Sequence, residues 1–111
     1  MDEIWKPIEG YTGFYEVSNF GKVRRIYKNG KTKILKPRIN HRGYERVCLS
    51  RNYQRKEFCV HRLVGNAFIA NELNKPQINH KNGIKTDNNM NNLEWVTPQE
   101  NCIHRSMLYR Y

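Results

Sequence analysis

The chain has 111 residues, with 20 Lys and Arg against 10 Asp and Glu, a formal net charge of +10 and 38% apolar residues. This supports one compact domain with a modest core, and no stretch has the roughly 18 consecutive apolar residues of a membrane-spanning helix. Three cysteines outside any C-x-x-C spacing argue against a disulfide framework and against structural zinc, and the acidic N-terminus argues against a signal peptide. We therefore expect a cytoplasmic, strongly basic protein with no membrane partner and with nucleic acid as its first candidate ligand.

The positive charge is concentrated in the N-terminal half. Between residues 22 and 56 the chain has 13 Lys and Arg and a single acid, Glu45. Asn29 and Gly30 separate two β-prone runs, which is the strongest short-range signal for a hairpin. The runs at 44–50 and 56–60 predict a second hairpin. The N-terminal half is thus predicted to be a small antiparallel β-sheet.

The hydrophobic pattern takes a helical period from residue 60 onward. One apolar stripe predicts a helix there, and its members are Val60, Leu63, Val64, Ala67 and Phe68. Short strands are predicted at 77–80 and 93–96. Thr97-Pro98-Gln99-Glu100 is a capping box, which predicts a helix from Pro98 to about Arg105.

Together these patterns predict an α+β chain, in which a small N-terminal antiparallel sheet is followed by a helix and a strand–loop–strand–helix unit. The composition divides it into a basic β module over residues 1–59 and a nearly neutral unit over residues 60–111. No linker rich in Gly, Ser or Pro separates them, so we expect one closely packed body.

The strand–loop–strand–helix unit carries polar residues at a characteristic spacing, with Asn79 and His80 on the first strand, Asn92 before the second and Asn101 in the capped helix. The segments INHKNG, NNLEWVT and EN that contain them resemble the ββα-metal, or HNH, nuclease motif. The segments WKPIEGY, YEVSN and GKVR of the basic half are similar to the N-terminal DNA-contacting module of bacteriophage HNH homing endonucleases. The likeness spans residues 4–104.

This resemblance implies an enzyme of phage or mobile-element origin that acts in a bacterial cytoplasm and hydrolyses double-stranded DNA, nicking one strand at one site. His80 would be the general base, with its ring held by the side chain or backbone of Asn92. Asn79 and Asn101 would bind one Mg²⁺ or Mn²⁺. Many members of the family have an aspartate where this chain has Asn79, and an amide contributes no charge, so metal binding is expected to be weaker.

The three histidines outside this motif are not expected to act in catalysis. His61 lies at a helix start beside the apolar stripe, where we expect it to support the site structurally or by orienting a neighbour. His41 and His104 are predicted to be surface residues.

The basic half also predicts a DNA-contacting surface, because 13 cations against one acid exceed what solubility needs. Strand alternation assigns Arg24 and Arg25 to opposite faces. The cations predicted to contact DNA are Lys22, Arg24, Arg25, Lys28, Lys31, Lys33, Arg38, Arg42 and Arg46.

Two alternatives remain at this point. The chain could be a catalytically inactive DNA-binding protein with a degenerate HNH site, in which Asn79 marks the decay. It could also be a small structural RNA-binding protein, although this leaves His80, Asn92 and Asn101 unexplained. A second copy of the chain and a phage protein are candidate partners.

Overall fold

The structure is a computed structural model that describes residues 2–108, with side chains up to residue 104. Met1 and residues 109–111, which fall within the predicted units 1–59 and 60–111, lie outside the described residues. The elements described are β1 (Trp5–Pro7), β2 (Tyr15–Ser18), β3 (Val23–Ile26), β4 (Thr32–Ile34), β5 (Arg38–Ile39), β6 (Glu45–Arg51), β7 (Gln54–Cys59), α1 (Val60–Phe68), β8 (Gln77–His80), a 3₁₀ turn (Met90–Asn92), β9 (Leu93–Val96) and α2 (Pro98–Leu108). The α+β class predicted from the sequence is confirmed.

The basic half contains two antiparallel sheets. The first has the strand order β1-β2-β3-β4 and the second has the order β5-β6-β7. The predicted antiparallel β region and both of its hairpins are confirmed, and its strands form two sheets where one was expected. Pro37 follows β4, and because proline has no N–H to donate, the ladder stops there and β5 begins a new sheet.

The two sheets are joined through their side chains. The Tyr15 hydroxyl on β2 accepts a hydrogen bond from the Ser50 backbone N–H on β6 at 3.1 Å. Val17 and Leu49, from the same two strands, are both fully buried. The N-terminal half is therefore held together by one core beneath two separate ladders.

Helix α1 lies between these sheets and the third sheet, formed by β8 and β9. The first turns of its apolar stripe are buried, with Val60 and Val64 at most 1% exposed, while Ala67 and Phe68 are half-buried against the core. At Gly65 a Cβ atom would overlap the Ile78 side chain and lie 3.1 Å from the Trp95 ring. Glycine thus allows the helix backbone to rest directly on β8 and β9, which brings the end of β8 close to the basic half.

The capping box is formed as predicted. The Thr97 hydroxyl accepts from the Glu100 N–H at 3.2 Å, and the Glu100 carboxylate accepts from the Thr97 N–H at 2.9 Å. The helix that follows runs to Leu108, beyond the predicted end. Within residues 2–108, neither helix has the length and apolar character needed to cross a bilayer.

Candidate metal centre and nucleic-acid interface

The end of β8 opens into a cavity of about 480 Å³. Asn79 and His80 reach it from the strand and Asn101 reaches it from α2, so the fold brings three of the predicted site residues to one place. Asn79 and His80 are each only 5% exposed. The other residues that line the cavity are His41, Arg42, Tyr44, Ile78, Gly83, Lys85 and His104.

The two asparagines are held so that their carbonyl oxygens remain available. The Asn79 Nδ2 donates to the Glu94 carboxylate at 3.0 Å, and the Asn101 Nδ2 donates to the Gln77 side-chain oxygen at 3.2 Å. Neither Oδ1 receives a hydrogen bond from the side chains and backbone described. Amide oxygens are ligands that Mg²⁺ and Mn²⁺ accept, so these residues fit a hard divalent cation.

Over the part of the chain that the structure describes, His, Cys, Asp and Glu side chains form no group of three or more that could hold an ion. A site at Asn79 and Asn101 would therefore bind its cation through neutral oxygens, and the remaining charge would have to come from a bound phosphate.

The ring of His80 is held by a residue that the sequence did not single out. Its Nε2 lies 2.8 Å from the Asn88 Oδ1, and Asn88 is only 3% exposed. Burial lowers the pKa of His80, and the hydrogen bond to Asn88 offsets part of this effect. The imidazole is thus neutral and fixed in place before any substrate arrives.

The hydrogen bonds described for Asn92 go to its own loop and not to this ring, which the sequence-based expectation had Asn92 hold. The Asn92 Nδ2 donates to the Asp87 backbone carbonyl at 2.9 Å and to the Asn82 side-chain oxygen at 3.0 Å. The backbone carbonyl of Asn92 accepts from the Lys81 N–H at 2.8 Å. The reason is the 3₁₀ turn that ends at Asn92, which leaves its side chain within the loop after β8. Asn92 therefore clamps this loop. No local signal distinguishes Asn88 from the other asparagines of the same run.

His61 is buried next to the candidate base. Its ring centroid lies 5.1 Å from that of Tyr44 and 5.2 Å from that of His80, and its Nδ1 has no partner among the described residues. Burial, with smaller contributions from the charges of His80 and Arg62, lowers its pKa from 6.5 to about 4. A neutral ring packed against His80 is compatible with the supporting role predicted for it.

His104, which the sequence suggested to be a surface residue, is partly exposed and lies at the site. Its Nε2 donates to the Lys81 carbonyl at 2.9 Å, and the side chain lines the same cavity as Asn101. The two residues are three positions apart on α2, so they share one helical face. That spacing is the signal that could have located His104 at the site.

Most of the predicted DNA-contacting cations are exposed, but Arg24 and Arg46 are partly buried and paired with carboxylates. Both Nε and Nη2 of Arg24 donate to the Glu16 carboxylate, at 2.9 and 2.7 Å, and its guanidinium lies 4.1 Å from the centroid of the Trp5 ring. Arg46 is half-buried, with its Nε 3.9 Å from the Glu57 carboxylate. The exposed cations are Lys22, Arg25, Lys28, Lys31, Lys33, Arg38 and Arg42.

The strand register determines which of these cations share a face. Arg25 lies directly opposite Lys33, whereas Arg24 lies opposite Ile34, so the predicted alternation is confirmed. Arg42 lies in the turn between β5 and β6 and lines the cavity with His80. A cationic surface on the first sheet and the cavity at the end of β8 are thus both available to a polyanion.

Comparison with known proteins identifies relatives along most of the chain. Residues 3–50 match the NUMOD4 motif and residues 58–102 match the HNH endonuclease family. DNA endonuclease I-HmuI of Bacillus phage SP01 is 44% identical over an alignment of 107 residues, and the match covers 94% of this chain and 60% of that protein. An uncharacterized HNH endonuclease of Acanthamoeba polyphaga mimivirus is 42% identical over 83 residues, covering 75% of this chain and 25% of that protein.

A solved structure shows the same fold. It describes DNA binding and cleavage by the HNH homing endonuclease I-HmuI, and it matches with a TM-score of 0.78 at 43% identity over 94% of this chain and 57% of that one. The chain therefore spans less than two thirds of the length of these relatives.

The depressed pKa of His61 predicts acid sensitivity of the fold. The unfolded state takes up a proton at this group below about pH 6.5, whereas the folded state does so only near its pKa of about 4. The free energy of unfolding is thus unaffected above this range and falls as the pH drops through it, by about 2 kcal/mol between pH 7.5 and pH 5. Urea denaturation of the wild type and of His61→Phe at both pH values measures this difference.

The comparison isolates the titration of His61, because His61→Phe keeps an aromatic ring in contact with Tyr44 and His80 but has no titrating nitrogen. The matched control is Asn66→Ala, which changes an exposed, non-titrating side chain of α1 and should leave the acid-induced loss unchanged. An equal loss of stability in the wild type and in His61→Phe would contradict the prediction.

Proposed function

We propose that this chain, a member of the HNH endonucleases that carries a NUMOD4 motif ahead of the HNH region and is similar to a phage homing endonuclease, hydrolyses phosphodiester bonds of duplex DNA. In this proposal it uses one divalent metal ion and nicks one strand. The observation that carries the proposal is the convergence of His80, Asn79 and Asn101 from two elements on one cavity. The phage relative supports a bacterial cytoplasm as the place of action.

His80 is the candidate general base. Burial lowers its pKa, so the ring is neutral at physiological pH and ready to accept a proton from water. Its contact with Asn88 keeps the imidazole in one orientation while the proton is transferred. A fixed ring in a cavity open to a phosphate is the arrangement that general-base hydrolysis requires.

Asn79 and Asn101 would hold the cation through their free side-chain oxygens. When bound, Mg²⁺ or Mn²⁺ supplies neutralisation of the phosphate and stabilisation of the leaving 3′ oxygen. Arg42 and Lys85 line the same cavity and add positive charge around the phosphate.

Replacing His80 tests the chemistry. His80→Ala removes the proton acceptor, and we expect nicking to fall by about two orders of magnitude or more while DNA binding is retained. The assay is relaxation of supercoiled plasmid in Mg²⁺ or Mn²⁺, with EDTA as the metal-free control and Asn66→Ala, on the exposed side of α1, as the folded control. Intact plasmid with wild-type protein in both metals, together with retained binding, would instead support the inactive alternative.

Replacing Asn101 tests the cation site without relying on activity. Asn101→Ala removes one of the two oxygen ligands, and we expect the affinity for Mn²⁺ to fall at least about tenfold in the presence of an uncleaved DNA duplex. Titration calorimetry or the Mn²⁺ resonance spectrum measures this affinity. Asn66→Ala again serves as the matched control, and equal Mn²⁺ affinity in all three proteins would refute the assignment.

The salt dependence of binding tests the DNA surface. If about six phosphates are neutralised, affinity for duplex DNA should fall by about three orders of magnitude between 50 and 200 mM salt. Lys28→Ala or Lys31→Ala should each lower the slope by about one charge, because both side chains are exposed. Arg24→Ala removes the same charge from a residue already paired with Glu16, so the slope should hardly change. The same loss of slope in all three variants would contradict this division.

A further inference from the structure

Asn88 joins the candidate base to the basic half through two short hydrogen bonds. Its Oδ1 lies 2.8 Å from the His80 Nε2, and its Nδ2 donates to the Glu45 carboxylate on β6, also at 2.8 Å. Both polar ends of one buried amide are thus used, one on each side of the boundary between the two halves of the chain.

These contacts determine where the proton of the neutral imidazole lies. An ionised carboxylate only accepts hydrogen bonds, so the side of Asn88 that faces Glu45 must be its NH₂ group. The carbonyl oxygen then faces His80, and since it also only accepts, the His80 Nε2 must carry the hydrogen. This leaves the Nδ1 with a lone pair, which is the form of the ring that can take a proton there.

The backbone around Asn88 is held by the first sheet. Gly21 has a φ of +87°, and a Cβ atom at that position would lie 2.8 Å from both the Cβ and the carbonyl oxygen of Asn88. Two residues further on, the Met90 N–H donates to the carbonyl of Asn19 at 2.8 Å, and Asn19 is only 1% exposed. The loop that carries Asn88 therefore rests against the turn between β2 and β3, and only a glycine at position 21 permits that approach.

We propose that Asn88 and Glu45 are positioning residues that fix the Nε2–H tautomer and the orientation of His80, so that the DNA-contacting half of the chain also sets the state of the base. The proposal rests on the proposed function, in which His80 accepts the proton. It assigns Glu45, the single acid among the 13 cations of residues 22–56, to the site and not to the surface.

We call the hydrogen-bonded chain from Glu45 through Asn88 to His80 the relay. A pair of substitutions that exchanges the side-chain chemistry of Asn88 and Glu45 tests it. Asn88→Asp places a second carboxylate against Glu45 and removes its donor, and we expect nicking to fall by about one to two orders of magnitude. Glu45→Gln leaves the Asn88 amide free to face either way and should lower nicking several-fold. In the double variant, the new glutamine donates to the new aspartate, whose other oxygen accepts from the His80 Nε2, so the rate should recover to within a few-fold of the wild type.

Recovery in the double variant is the result that a merely structural role would not produce. The matched control is Asn89→Asp, the same substitution one residue away. Asn89 accepts from the Asn91 N–H at 3.0 Å, which an aspartate also does, so its nicking rate should equal that of the wild type. Losses that simply add in the double variant would overturn the proposal.

The ring nitrogens of His80 give a readout that does not depend on activity. In the ¹⁵N-labelled full chain near neutral pH, we expect the wild type and the double variant to show a protonated Nε2 and a free Nδ1, and Asn88→Ala to show a mixture of the two tautomers. A protonated Nδ1 in the wild type, or an unchanged spectrum in Asn88→Ala, would overturn the relay. Absence of nicking by the wild type in either metal would refute the proposed function, whereas the spectrum decides the relay by itself.

Discussion

Burying polar side chains beside a small apolar core is costly unless each finds a partner, and this requirement shapes the centre of the protein. Asn79, His80 and Asn88 are all nearly inaccessible to water. Their partners come from different elements: the carboxylate of Glu94 on β9 for Asn79, and that of Glu45 on β6 for Asn88. The cavity at the end of β8 is therefore ordered by the whole fold and not by the loop that surrounds it.

The two halves of the chain share one core, which explains how distant segments can act on the same site. Residues of the basic half such as Val17 and Leu49 belong to the same buried cluster as Val64 and Leu93. Helix α1 begins at Val60, the predicted start of the second unit, yet it packs against strands of both halves. Division of the chain into units 1–59 and 60–111 stays a prediction, and a cut there would expose apolar surface on each side.

The sequence predicted best those features that depend on neighbouring residues. The Asn29-Gly30 turn and the box between Thr97 and Glu100 were found because their chemistry acts over three or four positions. The residues of the candidate site came from the resemblance to a known motif, which gave their spacing but not their hydrogen bonds. Asn92 was therefore assigned a contact that Asn88 makes.

What could not be predicted depends on contacts between residues far apart in the sequence. The isolated acid at position 45 was visible, but its partner lies 43 residues away in a run of similar asparagines. In the same way, nothing local indicated that Arg24 would be held by Glu16 across two strands, or that Pro37 would divide the basic half into two ladders. Such pairings appear only when the register and the packing are known.

The described part of helix α2 buries little apolar surface, and this sets the proposed metal site apart from the basic sheets. From Pro98 to His104 no side chain is fully buried and Ile103 is 62% exposed, whereas α1 buries five residues. Segments with little apolar burial open at a lower free energy than the global core. Partial unfolding that begins at α2 would carry Asn101 away from the cavity, and the remaining species would keep the cationic surface of the first sheet without the proposed metal site.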